Sequence, residues 1–108
     1  MMMSMVRLNV PSVFVYGGTI LPGRFKGRDV TVVDVFEGVG QYAAGNMSAD
    51  ELHELESVAC PCEGSCGGQY TANTMACVAE AMGLALPTSS GAPAAYESRD
   101  EMVRASGE

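Results

Sequence analysis

Basic residues are scarce. Six Lys and Arg stand against 13 Asp and Glu, for a net charge of −7. That balance argues against nucleic acid or an anionic membrane surface as the main partner, since both are gripped through clustered Lys and Arg. A small carboxylate or phosphate ligand stays open, because binding sites are local. No apolar run reaches the roughly 18 residues that a membrane-spanning helix needs. The opening MMMSMVRLNV has no basic stretch ahead of its apolar residues, so it lacks the pattern of a signal peptide. Phenylalanine occurs only three times and glycine 13 times. Those counts speak for a turn-rich α/β chain rather than an aromatic-rich sandwich. With 108 residues, 47% of them hydrophobic and 18% charged, the chain has the length and composition of one small globular domain. No internal repeat is visible.

The densest chemistry lies between Ala59 and Leu84. Cys60, Cys62 and Cys66 fall within seven residues, Gly67 and Gly68 follow, and Thr71-Ala-Asn73-Thr74 gives a helix-start signal. Glycines let a backbone approach a ligand closely. The free N–H groups of a helix N-terminus favour a thiolate, the form that metals and iron–sulfur clusters bind.

Before this stretch, Met1 to Leu8 reads as a helix ended by Asn9. Val10 to Tyr16 is a short apolar run closed by Gly17 and Gly18, the pattern of a strand buried on both faces of a parallel sheet. The next segment, GGTILPGRFKGRDV, reads as a loop at that strand's carboxyl end, where open α/β sheets bind ligands. Its GG-x4-G pattern is neither a Walker loop nor GxGxxG, and a plain turn-rich connection is the stronger reading. Arg24, Lys26 and Arg28 are half of the basic residues and read as solvated loop charges rather than a carboxylate site.

Apolar residues from Val32 to Ala43 recur at helical spacing in spite of Gly38, with a strand start as the alternative. Ser48 and Glu51 form a capping box for the following helix, which runs to about Val58 and carries His53 on its solvated side. A helix from about Ala72 to Leu84 holds Met75 and Met82 as core filler and Cys77 as a small buried residue. A last helix begins near Ser98. The run of methionines and the uncapped end at Glu108 suggest a piece of a longer chain.

Taken alone, the cysteine turn is not a complete metal site. A structural zinc site needs four ligands, commonly two CxxC-type pairs or added histidines, and the ferredoxin spacings do not match either. Cys60 and Cys62 are one residue apart and point to opposite sides of an extended chain. Two readings follow: Cys66 as one ligand completed from elsewhere, or a self-contained metal module built on Cys60, Cys62 and Cys66. A cysteine nucleophile would need a base, and His53 is poorly placed for it. A non-catalytic interaction domain with structural cysteines is a further alternative. The cysteines favour a reduced intracellular setting over a secreted, disulfide-bonded one.

The combination ACP-x-x-GSC-G-G-Q-Y-TANTM-x-C-x-x-EA-x-GLALP resembles the second cysteine motif of the dihydroxy-acid dehydratase family, which includes sugar-acid and phosphogluconate dehydratases. RLNVPSVFVYGGTILPG resembles the strand and glycine loop that precede it, so the resemblance spans essentially the whole chain. It implies that residues 1–108 are part of the iron–sulfur-binding N-terminal domain of a larger cytoplasmic enzyme. The implied fold is α/β, a partial three-layer domain with a short buried parallel strand, a glycine-rich loop and several helices. The implied reaction is dehydration of a 2,3-dihydroxy carboxylate to a 2-keto acid, as in branched-chain amino-acid biosynthesis, with a sugar-acid substrate as the alternative. The implied cofactors are an iron–sulfur cluster, 2Fe-2S or 4Fe-4S, and Mg2+. Cys66, the cysteine of GSC, is implied as a cluster ligand. Cys60 is not expected to ligate, and Cys62 occupies a variable position. The other cluster cysteines, the Mg2+ ligands and a serine base are expected outside these residues, so the 108 residues alone are expected to be inactive and the longer enzyme a homo-oligomer.

Overall fold

Every element in the first half of the chain is fixed by a local signal. A computed structural model describes residues 1–108. Helix α1 covers Met2–Leu8 and ends where Asn9 turns left-handed, with φ 49°; asparagine tolerates that conformation better than most residues. Strands β1 (Gly23–Phe25) and β2 (Arg28–Val30) form an antiparallel hairpin that pairs Gly23 with Val30 and Phe25 with Arg28. Its two loop residues, Lys26 and Gly27, both have positive φ, as a tight hairpin with the natural strand twist requires. Lys26 tolerates the strained position while its ammonium bonds Glu51 Oε1 at 2.6 Å and lies 5.1 Å from the Phe25 ring centre.

Helix α2 (Val32–Ala43) starts with a capping box between Thr31 and Asp34, and α3 (Ala49–Val58) with one between Ser48 and Glu51. Each box satisfies N–H groups that a helix start otherwise leaves open. The first was not read from the sequence; the second was. Helices α4 (Thr71–Ala81) and α5 (Glu97–Gly107) lack side-chain caps.

The hairpin and α3 supply the core. Phe25, Val30, Leu55 and Ala59 are buried together, with Val35, Met47 and Val58 packed against them. Two glycines set this packing. A Cβ on Gly23 would lie 1.7 Å from the Val58 carbonyl oxygen, and one on Gly38 would lie 3.0 Å from Leu55 Cδ2. Gly38, which looked out of place in a helix, is what lets α2 lie close against α3.

The chain is mixed α/β, as expected, but its strands differ from the expectation. Val10 to Tyr16 forms no strand, and the only sheet is the antiparallel hairpin inside the segment read as a loop. A strand buried on both faces needs sheet neighbours and covering layers, and here Val10, Val13 and Val15 stay exposed while only Tyr16 turns inward. The parallel pairings that do occur are two single bridges, Thr19 with Ser65 and Thr19 with Pro93. Met75 and Met82 are exposed rather than core filler. The buried face of α4 is Asn73, Ala76 and Ala79, so small residues and one amide make the contact and the longer apolar side chains point away. The whole chain measures 54 × 29 × 16 Å, with a radius of gyration of 17.3 Å, against roughly 13 Å for a compact domain of about 100 residues.

Candidate functional site

Helix α3 ends at Ala59, which is buried, and hands the chain to Cys60 at the protein surface. Four residues on, Gly64 has φ +128°, and a Cβ there would sit 2.5 Å from the Ile20 amide nitrogen. Only glycine fits both demands. The close approach lets Ser65 pair with the glycine-loop segment: Ser65 N donates to Gly18 O at 2.9 Å, and Ile20 N donates to Ser65 O at 2.7 Å. Thr19 O accepts from Ala94 N at 2.9 Å. Residues 18–20, 64–66 and 93–94 therefore run side by side, and the expectation that glycine loop and cysteine turn converge is met at Thr19.

Cys66 follows, with its thiol free and exposed. Its backbone is held firmly. The Cys66 carbonyl oxygen accepts from Asn73 Nδ2 at 2.7 Å and from Thr19 Oγ1 at 3.1 Å. The same Asn73 amide donates to Gly68 O at 2.6 Å. On its other side, Asn73 Oδ1 accepts from Ser65 Oγ at 2.8 Å and from the Tyr16 hydroxyl. Two carbonyl oxygens can only accept, so they fix which end of the amide faces them. Tyr16 and Asn73 are buried, and no buried side-chain nitrogen or oxygen lacks a partner.

Around Cys66 lie two hollows. One, of about 310 Å³, is bordered by Cys66, Gly68, Tyr70 and the first turn of α4 at Thr71–Asn73. The other, of about 200 Å³, is bordered by Cys66, Cys60, Ile20 and Val32. The start of α4 has no side-chain cap, so first-turn N–H groups border the larger hollow unclaimed by side chains, and such an end attracts negative charge. The donor set suits a soft metal centre in a limited way. One accessible thiol offers one thiolate ligand, and nowhere do three His, Cys, Asp or Glu side chains come together.

The remaining sequence candidates separate. Cys60 shares the smaller hollow with Cys66. Cys62 is half-buried and contacts the neighbouring Glu63 carbonyl at 3.5 Å. Cys77 is exposed, contrary to the expected burial, because it falls beside the Asn73–Ala76–Ala79 face of α4 rather than on it. His53 is exposed, with Glu56 4.0 Å away. Arg24, Lys26 and Arg28 pair with the chain's own Asp29, Glu51 and Asp34 at 2.9, 2.6 and 3.0 Å, which leaves them no role at the cysteine turn.

Sequence reasoning missed Tyr16, Thr19, Ser65 and Asn73 as a connected set. The helix-start signal Thr71-Ala-Asn73-Thr74 was read as capping, yet Tyr70 holds the cap position and Asn73 serves the cysteine turn instead. A signal was available: Asn73 lies in register with Ala76 and Ala79, and a buried polar side chain on an otherwise apolar face needs specific partners.

The family model described as dihydroxy-acid/6-phosphogluconate dehydratase N-terminal matches residues 1–108. The dihydroxy-acid dehydratase of Parvibaculum lavamentivorans is 78% identical over 107 residues, covering 99% of this chain and 19% of that protein. The proteins of the same name from Dinoroseobacter shibae and Pelagibacter ubique are 71% and 70% identical over 107 residues, covering 99% of this chain and 18% and 19% of those proteins. The chain thus spans about a fifth of the length of the curated relatives it matches. A match over the full 108 residues, with the GSC turn and TANTM helix start in place, shows that this chain belongs to the dihydroxy-acid/6-phosphogluconate dehydratase family.

Proposed function

We propose that this chain is the cluster-binding part of a dihydroxy-acid dehydratase, a hydro-lyase that converts a 2,3-dihydroxy carboxylate to a 2-keto acid. The pathway assigned is branched-chain amino-acid biosynthesis, and the setting a cytoplasmic homo-oligomer. No helix is long and apolar enough to cross a membrane. The reaction rests on the family and its relatives. The observation that carries the cofactor assignment is the free, exposed Cys66 thiol on a turn whose carbonyl is tied from two sides.

Within this reading, Cys66 supplies one thiolate to an iron–sulfur cluster, and further cysteines come from the rest of the longer protein. A bound cluster contributes a Lewis-acidic iron for the departing hydroxyl, with Mg2+ at the substrate carboxylate. The residues present here hold and shape. Gly67 and Gly68 carry no side chain next to the thiol. The uncapped start of α4 favours the negative charge of a thiolate or of a bound carboxylate. Ile20 and Val32 give the smaller hollow an apolar wall that limits water beside Cys66. The general base is assigned outside residues 1–108.

The test uses the full-length protein. Cys66→Ser should lower iron content and remove the thiolate-to-iron absorbance. It should also abolish 2-keto acid formation from 2,3-dihydroxy carboxylates. Cys62→Ser should leave all three unchanged. Iron that follows Cys62 instead would favour a self-contained metal module. Turnover of sugar acids alone would move the substrate class to the sugar-acid branch.

A further inference from the structure

We propose that Asn73 is a positioning residue for Cys66, fixing the direction of the thiol through the backbone of the cysteine turn. The inference rests on the reading of Cys66 as a cluster ligand. Five polar groups meet at one buried amide. Its nitrogen donates to the carbonyls on either side of Gly67, those of Cys66 at 2.7 Å and Gly68 at 2.6 Å. The three residues around the ligand are thereby drawn onto the start of α4. Thr19 Oγ1, which donates to the Cys66 carbonyl at 3.1 Å, also accepts from Asn73 Nδ2 at 3.4 Å. The oxygen of Asn73 is held in turn by Ser65 Oγ and Tyr16 OH.

The physical case is one of freedom removed. Gly67 and Gly68 are the most flexible residue type, and they directly follow the ligand. A thiol on such a turn would sweep a wide cone and would have to be ordered when it binds. Asn73 abolishes that freedom beforehand, because both carbonyls that flank Gly67 end on one rigid planar amide. That amide sits on the buried face of α4 with Ala76 and Ala79, so it cannot swing away. Groups of this kind, which orient a ligand without touching the metal, typically change metal affinity about 10- to 100-fold when removed.

The experiment compares variants of the full-length holoenzyme by the rate at which a chelator strips iron, by the visible circular dichroism of the cluster, and by the melting temperature of the iron-free protein. Asn73→Asp keeps size and an acceptor for Tyr16 and Ser65, but sets an oxygen against the Cys66 and Gly68 carbonyls. It should speed iron loss about 10- to 100-fold and shift the dichroism bands, with the iron-free melting temperature nearly unchanged. Thr19→Val removes the second donor to the same carbonyl and should act in the same direction, more weakly. Tyr16→Phe touches only the far side of the amide and should stay within about twofold of wild type. If Asn73→Asp prevents folding, Thr19→Val decides: faster iron loss upholds the proposal, and a wild-type rate overturns it. Iron loss in Asn73→Asp no faster than in Tyr16→Phe overturns it too, as does a change that merely follows the iron-free melting temperature. A Cys66→Ser protein that keeps its cluster brings down the ligand assignment and this inference together. That outcome differs from one in which Cys66→Ser loses iron while Asn73→Asp does not.

Discussion

The same chemical change, Gly→Ala, should act with opposite sign at two places in this chain. At Gly40, inside α2, a new Cβ meets nothing within 4 Å. Alanine there should stabilise by about 0.5–1 kcal/mol, since it reduces the freedom of the unfolded chain and favours helix. At Gly23 the new Cβ would fall 1.7 Å from the Val58 carbonyl oxygen and 2.7 Å from its carbon. Both are backbone atoms at the end of α3, so no side chain can swing aside. The hairpin must retreat by more than 1 Å to reach ordinary contact. A gap of 0.5–1 Å already forfeits about a quarter to a half of the dispersion contact. Phe25 and Val30, 5% and 0% exposed, ride on the same hairpin, and burying each is worth about 1.5–3 kcal/mol. The expected cost is therefore about 1–3 kcal/mol. Hydrogen exchange on the full-length protein reads this locally: amides in peptides spanning residues 21–31 should exchange about 5- to 150-fold faster in Gly23→Ala. In Gly40→Ala they should be unchanged or slower. Equal protection of the hairpin in both variants would refute the close-approach argument.

Other outcomes follow from the same geometry. Leu55 is 1% exposed at the centre of the core, so Leu55→Ala should cost about 2–5 kcal/mol in urea unfolding, and more than any substitution on the exposed face of α5. Glu51 is held down to a pKa of about 2, first by its hydrogen bond to Lys26 and then by Ser48. A depressed carboxylate contributes stability that is present above its ordinary value of 4.5 and lost as pH falls toward about 2. Lys26→Met should flatten the melting temperature against pH in that window. The effect should shrink at high salt, because the pair is exposed. Glu80 accepts from the Thr88 and Ser90 amides at 2.6 and 3.0 Å, and those bonds, Ser90 foremost, lower its pKa. Glu80→Gln leaves one acceptor for two donors, so exchange at Thr88 or Ser90 should accelerate while the core keeps its protection.

Much of this chain was legible in order of residues. The capping box at Ser48 and Glu51, the left-handed stop at Asn9, the helical period of α2 and the surface place of His53 are all properties of a few neighbours along the sequence, and local sterics and hydrogen bonding decide them. So was the GSC turn, because glycines and a thiol ahead of a helix start are adjacent in sequence. What proved wrong needed to know what lies opposite. Val10 to Tyr16 has the composition of a buried strand, but composition cannot supply sheet neighbours, and the pairings went to Thr19 instead. Cys77, Met75 and Met82 have apolar character, but which side of α4 turns inward was settled by the amide of Asn73 and by alanines small enough for close packing. The sequence by itself determined the helices and placed the thiol. Only tertiary structure brought Tyr16, Thr19 and Ser65, 8 to 57 positions from Asn73 along the chain, onto one buried side chain. Hydrogen bonds between residues that far apart depend on the path of the whole backbone, which no local pattern encodes.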